Sequence, residues 1–175
     1  TVAQRLLSFG LPFQANSILA LIKDDLFTIF LGKILPFNQI GYIGWAKKWA
    51  EIPLRLIMDN VIKVTFPAYS RLQNETIILC RAIEKSTFVL SLTIFPVLAI
   101  AALSATPLIE LIPRYQKWQP ALLPLYFLLI NAALAAITTP LTNALNAIGK
   151  IKITLKLMLM WTTLTWLLIP VLSRF

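Results

Sequence analysis

The sequence contains no histidine, a single cysteine and few charged residues. Histidine is the commonest metal ligand and the usual general base near neutral pH, so its absence argues against metal and acid–base chemistry. The single Cys80 excludes an internal disulfide and a cysteine cluster. Charged residues make up 13% of the chain, whereas ordinary soluble domains contain roughly 25%. We therefore expect no cofactor and no metal, and a chain that lies in a membrane.

Hydrophobic residues, which form 58% of the chain, are gathered in long runs without charge. Residues 86–109 and 119–149 carry no charge, and a spanning helix needs about 20 apolar residues. The runs also lack the alternation of barrel strands. The sequence thus predicts an all-α polytopic membrane helix bundle, with about five transmembrane helices in one membrane domain, residues 1–175. The predicted helices cover residues 9–35, 39–67, 76–103, 120–148 and 153–172.

Residues 106–112 lie between the third and fourth predicted helices and are too short to span a membrane. They precede Arg114, Tyr115, Lys117 and Trp118, residue types that are typical of the membrane–water interface. We expect this segment to lie at the membrane surface.

The net charge of +9 would suggest nucleic acid in a soluble protein, but no nucleic-acid-binding motif is present. Here the basic residues flank apolar runs, so membrane lipids and topology explain them better. The positive-inside rule places the more basic side of the bundle in the cytoplasm. That side includes Arg5, Arg71, Arg81, Lys85, Lys150, Lys152 and Lys156.

The second predicted helix carries a stripe of charges. At about 100° per residue, Lys48, Glu51, Arg55, Asp59 and Lys63 fall within a sector roughly 120° wide. A charge at the bilayer centre costs at least about 3 kcal/mol, so the stripe must face protein, water or charged cargo. Two interpretations stay open. The stripe lines a cavity, or it neutralises itself through pairs four residues apart: Glu51–Arg55, Arg55–Asp59 and Asp59–Lys63.

The middle of the first predicted helix holds Lys23, Asp24 and Asp25, which have no opposite charge three or four positions away. Lys23 contacts either cargo or a carboxylate of the second helix. Asp24 and Asp25 bind a coupling ion or, as we favour, neutralise Lys23 and Arg55. Arg55 is the first candidate for a phosphate contact, because its guanidinium offers a bidentate fork. The candidate cavity residues are Arg55, Lys23, Lys48, Asp59, Glu51, Lys63, Asp24 and Asp25.

Aromatic residues near the stripe have two interpretations as well. Tyr42, Trp45 and Trp49 anchor the helix at the membrane interface or provide faces on which a sugar stacks. Asn143 and Asn146 join helices by hydrogen bonds or contact a sugar, and we favour the first role. Lys47 lies off the stripe, and we expect it to extend towards the interface.

The block from residue 41 to residue 75, GYIGWAKKWAEIPLRLIMDNVIKVTFPAYSRLQNE, resembles the polysaccharide-biosynthesis flippases of the multidrug/oligosaccharidyl-lipid/polysaccharide exporter superfamily. The resemblance rests on Pro-Leu-Arg at 53–55 and Thr-Phe-Pro-Ala-Tyr-Ser-Arg-Leu-Gln at 65–73. Lys-Trp at 117–118 and Ala-Ile-Gly-Lys at 147–150 extend it. Such proteins usually have twelve to fourteen helices in two lobes. The resemblance implies that this chain is most of the second lobe, a piece of a longer protein.

The resemblance also implies a function without catalysis. Proteins of this family move polyprenyl-diphosphate-linked oligosaccharides to the outer leaflet of the cytoplasmic membrane, through a cavity with basic residues between the lobes. The implied partners are the lipid-linked oligosaccharide, membrane lipids, and a polysaccharide polymerase or glycosyltransferases; the coupling ion is not identified. The alternative is a cation-coupled multidrug antiporter of the same superfamily. The first two predicted helices hold six basic and four acidic residues, and this excess favours an anionic cargo.

Overall fold

The computed structural model describes residues 2–23 and 27–172, and every regular element in this part of the chain is helical. The predicted all-α fold class is therefore confirmed. The elements are α1 (Val2–Leu21), α2 (Phe27–Ile34), α3 (Phe37–Arg71), α4 (Thr76–Leu111), a 3₁₀ helix (Tyr115–Ala121), α5 (Leu122–Ala147) and α6 (Ile151–Leu172).

Two described helices, α1 and α2, cover most of the first predicted helix, 9–35. α1 ends at Leu21 and is followed by a π-helical turn at Ile22 and Lys23, and α2 begins at Phe27. The predicted cavity residues Asp24 and Asp25 lie outside the described residues.

The third predicted helix was placed too short, because residues 106–111 belong to α4 and do not form a separate segment. Their position at the membrane surface stays a prediction. α4 continues to Leu111 with Pro96 and Pro107 inside it. A proline removes one backbone hydrogen bond, but packing holds the helix together here, since Ala105 and Ile109 are buried. The helix ends before Arg114, which has a left-handed φ of 75°.

The chain divides into two compact units, which are described separately. The terminal unit comprises residues 1–36 and 148–175, where α1 packs against α6. The central unit comprises residues 37–147, where α3, α4, α5 and the 3₁₀ helix pack together. The single membrane domain stays a prediction.

The core of the central unit joins small residues to larger aliphatic ones. Ala46 and Ala50 of α3 are buried, as are Ala132 and Ala136 of α5, both pairs spaced by four residues. Small side chains on one face let helix backbones approach closely, as in membrane proteins. Larger side chains, mostly from α4 and α5, fill the rest of this core: Met58, Leu90, Ile94, Leu98, Leu125 and Leu129.

Three helical segments in the described part of the chain are long and apolar enough to cross a membrane. They are Thr76–Leu111, Tyr115–Ala147 and Ile151–Leu168, with mean hydropathies of 2.3, 2.0 and 1.3. At most 28% of their most apolar stretches is buried inside the protein, so the rest is left for lipid or other protein to cover. α3 has 35 residues and a length of about 52 Å, enough for a bilayer of roughly 30 Å, but it carries the charged stripe.

Candidate functional site

α3 has one face in the core of the central unit and one face outside it. Ala46, Ala50 and Met58 are buried, and Leu54 and Ile57 pack against them. These positions recur with helical spacing, so a continuous apolar side of α3 faces α4 and α5. The opposite side is left at the surface of the unit.

The charged stripe (Lys48, Glu51, Arg55, Asp59 and Lys63) lies on this outer side. Lys48, Asp59 and Lys63 are exposed, and the Arg55 side chain is 73% exposed. Glu51 is more enclosed, with 32% of its side chain exposed. The stripe therefore does not pair with α4 or α5 inside the central unit. Contact between these charges and lipid tails would cost free energy, so water, cargo or other protein must face the stripe.

Glu51 binds two basic side chains. Arg55 Nη2 donates a hydrogen bond to Glu51 Oε2 at 2.8 Å, as the spacing predicted. Lys47 Nζ lies 3.8 Å from the other oxygen, Glu51 Oε1. Sequence reasoning missed this second pair, although Lys47 and Glu51 also stand four residues apart, because Lys47 was assigned to the interface.

The other two predicted pairs, Arg55–Asp59 and Asp59–Lys63, are wrong. Among residues 2–23 and 27–172, neither Asp59 nor Lys63 forms an ion pair. Helical side chains point back towards the N-terminus, so Arg55 reaches Glu51, four residues earlier, rather than Asp59, four residues later. Aspartate is also one methylene shorter than glutamate, which reduces the reach of Asp59 towards Lys63.

The outer side of α3 is positive overall. Lys47, together with the stripe, contributes four basic and two acidic residues, which leaves a surplus of two positive charges. Since Lys47 and Arg55 share one carboxylate, two cations of the stripe, Lys48 and Lys63, have no ion-pair partner in the described part of the chain. This surface suits an anionic ligand better than a cationic one.

Lys23 belongs to the terminal unit. It is half-buried and stands in the π-helical turn after α1. π-helical turns are rare and occur frequently at functional sites. Because Lys23 and the charged stripe belong to different units, a cavity formed by both stays a prediction.

Four aromatic rings form a cluster at the N-terminal end of α3. Trp45 stacks on Trp118 of the 3₁₀ helix, with centroids 5.4 Å apart and planes at 15°. Tyr42 meets Trp118 edge-on at 6.1 Å, and Trp49 lies 5.9 Å from Trp45. Lys117 Nζ lies 5.5 Å from the centre of the Trp118 ring, a cation–π distance. The sequence placed all four rings near span ends, but it did not indicate that they touch.

A cavity of about 170 Å³ adjoins this aromatic cluster. Trp45 and Trp49 line one side, and the C-terminal part of α4 lines the other, where Ser104 and Leu108 contribute. The lining is almost wholly apolar. Tyr115 of the 3₁₀ helix completes it.

Buried polar groups are few in the central unit. The Tyr69 hydroxyl hydrogen-bonds to Ser86 and joins α3 to α4. Within the described residues, the amide nitrogen of Asn143 is buried without a hydrogen-bond partner, so the favoured interhelical bond is not formed by that atom. No group of three or more Cys, Asp or Glu side chains able to hold a metal ion is found among the described residues.

Comparison with known proteins gives two matches. Residues 1–123 match the model of a family described as "Polysaccharide biosynthesis protein". The chain is also 25% identical over 150 residues to the lipopolysaccharide biosynthesis protein WzxC of Escherichia coli (strain K12). That alignment covers 86% of this chain, which spans about 30% of the length of the curated relative it matches. No solved structure gives a significant match.

Proposed function

Because the chain belongs to the polysaccharide biosynthesis protein family, we propose that it is part of a multi-pass flippase of the cytoplasmic membrane. The cargo is a polyprenyl-diphosphate-linked oligosaccharide, which moves to the outer leaflet for polysaccharide export. Similarity to WzxC, whose name places it in lipopolysaccharide biosynthesis, supports the class of cargo. The observation that carries the proposal is an exposed arginine in a positive stripe on a membrane helix bundle.

Arg55 is the proposed contact for the diphosphate. Among the described residues Glu51 is its only side-chain partner, so most of the five N–H donors of the guanidinium remain available. A guanidinium binds phosphate oxygens with two parallel hydrogen bonds, and its charge is permanent. At 73% exposure the group can be reached from outside the central unit.

The two lysines of the stripe provide a path for the head group. Lys48 and Lys63 lie about two turns either side of Arg55 and add positive charge along roughly 22 Å of α3. The isoprenoid tail stays in lipid beside the apolar helices. No bond is made or broken, so the protein acts as a carrier and not as an enzyme. A cavity role for Lys23, Asp24 and Asp25, and a polymerase or glycosyltransferases as partners of the carrier, stay predictions from the sequence.

A cation-coupled multidrug antiporter is the second candidate. One observation favours it: the Asp59 carboxylate is exposed and forms no ion pair among the described residues, so it is open to a cation. The two cations around Glu51 and the positive surplus of the stripe oppose it. An anionic cargo therefore agrees better with the charges of α3.

The test is Arg55→Ala in the whole gene, in cells that depend on it for surface polysaccharide. We expect surface polysaccharide to be lost and lipid-linked oligosaccharide to accumulate on the cytoplasmic side. Arg71→Ala is the matched control, because Arg71 is exposed on the same helix but lies outside the stripe. Normal export by folded Arg55→Ala protein would refute the phosphate contact, and drug efflux without a glycan defect would support the antiporter.

A further inference from the structure

We infer that Glu51 is an internal counter-ion that competes with the diphosphate for the Arg55 guanidinium and helps to release the cargo after transport. This inference rests on the proposed function, since it concerns the same arginine. Glu51 then regulates the site without contacting the cargo itself.

The geometry of Glu51 separates its two contacts. Oε2 accepts the Arg55 hydrogen bond at 2.8 Å, and Oε1 faces Lys47 Nζ at 3.8 Å. When Arg55 turns to a phosphate, the carboxylate retains Lys47. Glu51 is therefore not left as an unpaired charge beside the membrane, which would be costly.

Exposure indicates which partner moves. The Glu51 side chain is 32% exposed and the Arg55 side chain 73% exposed. The carboxylate is held nearer the helix surface between two cations, whereas the guanidinium extends outwards on a flexible stem. Exchange therefore requires only rotation of the Arg55 side chain, and the helix backbone need not change.

The contact is weak enough to be exchanged. An exposed ion pair between residues four apart on a helix shifts an equilibrium by about twofold. A phosphate group offers Arg55 two charge-assisted hydrogen bonds in place of one, so it displaces Glu51 on arrival. During release, the Glu51 carboxylate pairs with the Arg55 guanidinium again, and this lowers the affinity of the site for the diphosphate head group.

Asp59 provides a matched control. Both Glu51 and Asp59 stand four residues from Arg55, and both carry one negative charge. Only Glu51 contacts the guanidinium within the part of the chain that the structure describes. General charge repulsion towards a diphosphate would act from both residues, whereas competition for Arg55 acts from Glu51 alone.

The experiment measures binding of radiolabelled farnesyl diphosphate to the whole protein in nanodiscs, with inorganic pyrophosphate as competitor. Glu51→Gln should tighten binding about twofold, which is the size of the ion-pair contribution that it removes. Asp59→Asn should tighten binding by a clearly smaller factor. Glu51→Asp, which retains the charge but shortens the reach, should tighten binding as well. In cells, Glu51→Gln should reduce polysaccharide export despite its higher affinity, because release is slower.

The outcomes distinguish failure of the counter-ion role of Glu51 from failure of the proposed flippase function. Equal tightening by Glu51→Gln and Asp59→Asn, or wild-type affinity in folded Glu51→Gln and Glu51→Asp, overturns the counter-ion role and leaves the proposed function standing. Wild-type protein that binds no farnesyl diphosphate, or Arg55→Ala protein that binds it normally, overturns the proposed function, and the counter-ion role falls with it.

Discussion

Replacing Tyr69 with phenylalanine tests the hydrogen bond that joins α3 to α4. The Tyr69 side chain is 1% exposed, and its hydroxyl pairs with the Ser86 hydroxyl. Ser86 Oγ donates its own hydrogen to the carbonyl of Ile83 at 2.9 Å, so Tyr69 must be the donor in the interhelical bond. Tyr69→Phe removes that bond and leaves no buried donor without a partner. We expect it to lower the free energy of unfolding by about 1 kcal/mol.

Ser86→Ala should cost more than Tyr69→Phe. It removes the acceptor and leaves the Tyr69 O–H buried without a partner, a penalty of about 1–3 kcal/mol. Adding Tyr69→Phe to Ser86→Ala should then recover stability, because the orphaned hydroxyl is gone. The double variant is expected to be close to Tyr69→Phe alone.

The assay is unfolding of the purified whole protein by dodecyl sulfate in mixed micelles, followed by tryptophan fluorescence. Tyr115→Phe is the control, because among the described residues the Tyr115 hydroxyl makes no hydrogen bond. The reasoning is refuted if Tyr69→Phe costs as much as Ser86→Ala, or if the two losses simply add in the double variant.

Two further predictions concern packing and topology. Ala136→Leu should lower the free energy of unfolding by about 1–3 kcal/mol in the same assay, since Ala136 is 0% exposed in the core of the central unit, whereas Ala99→Leu on an exposed position of α4 should not. Cys80 is exposed near the start of α4, and the positive-inside rule predicts that it faces the cytoplasm. In a whole protein without other cysteines, a membrane-impermeant maleimide should label Cys80 in inside-out vesicles only. Labelling in right-side-out vesicles would show that the predicted orientation is wrong.

Features that depend on local spacing were predictable from the sequence. The long uncharged runs predict membrane helices because backbone groups in lipid must bond within their own segment. The Glu51–Arg55 pair follows from a spacing of four on a helix, and the structure contains it. The same rule failed for Arg55 and Asp59. Arg55 has a carboxylate four residues away on each side, and the direction of its side chain decides which one it bonds. Spacing alone does not show that direction.

Features that join distant parts of the chain were not predictable from the sequence. Trp45 and Trp118 each resemble an interface anchor, and only the packing of α3 beside the 3₁₀ helix makes them stack. In the same way, the third predicted helix ended at residue 103, but burial of Ala105 and Ile109 stabilises the helix on both sides of Pro107. Residue spacing and helix-breaking residues do not indicate contacts between residues that are far apart in the sequence.

The sequence by itself determined that this protein is an all-α membrane bundle and that one of its helices carries a charged stripe. The composition is sufficient to predict the membrane bundle, and the helical period of 3.6 residues is sufficient to predict the stripe. Only the tertiary structure decided where the stripe faces. The alanine-rich side of α3 packs against α4 and α5, because small side chains allow the closest approach of helix backbones. The charged stripe therefore faces outwards, with Arg55 exposed.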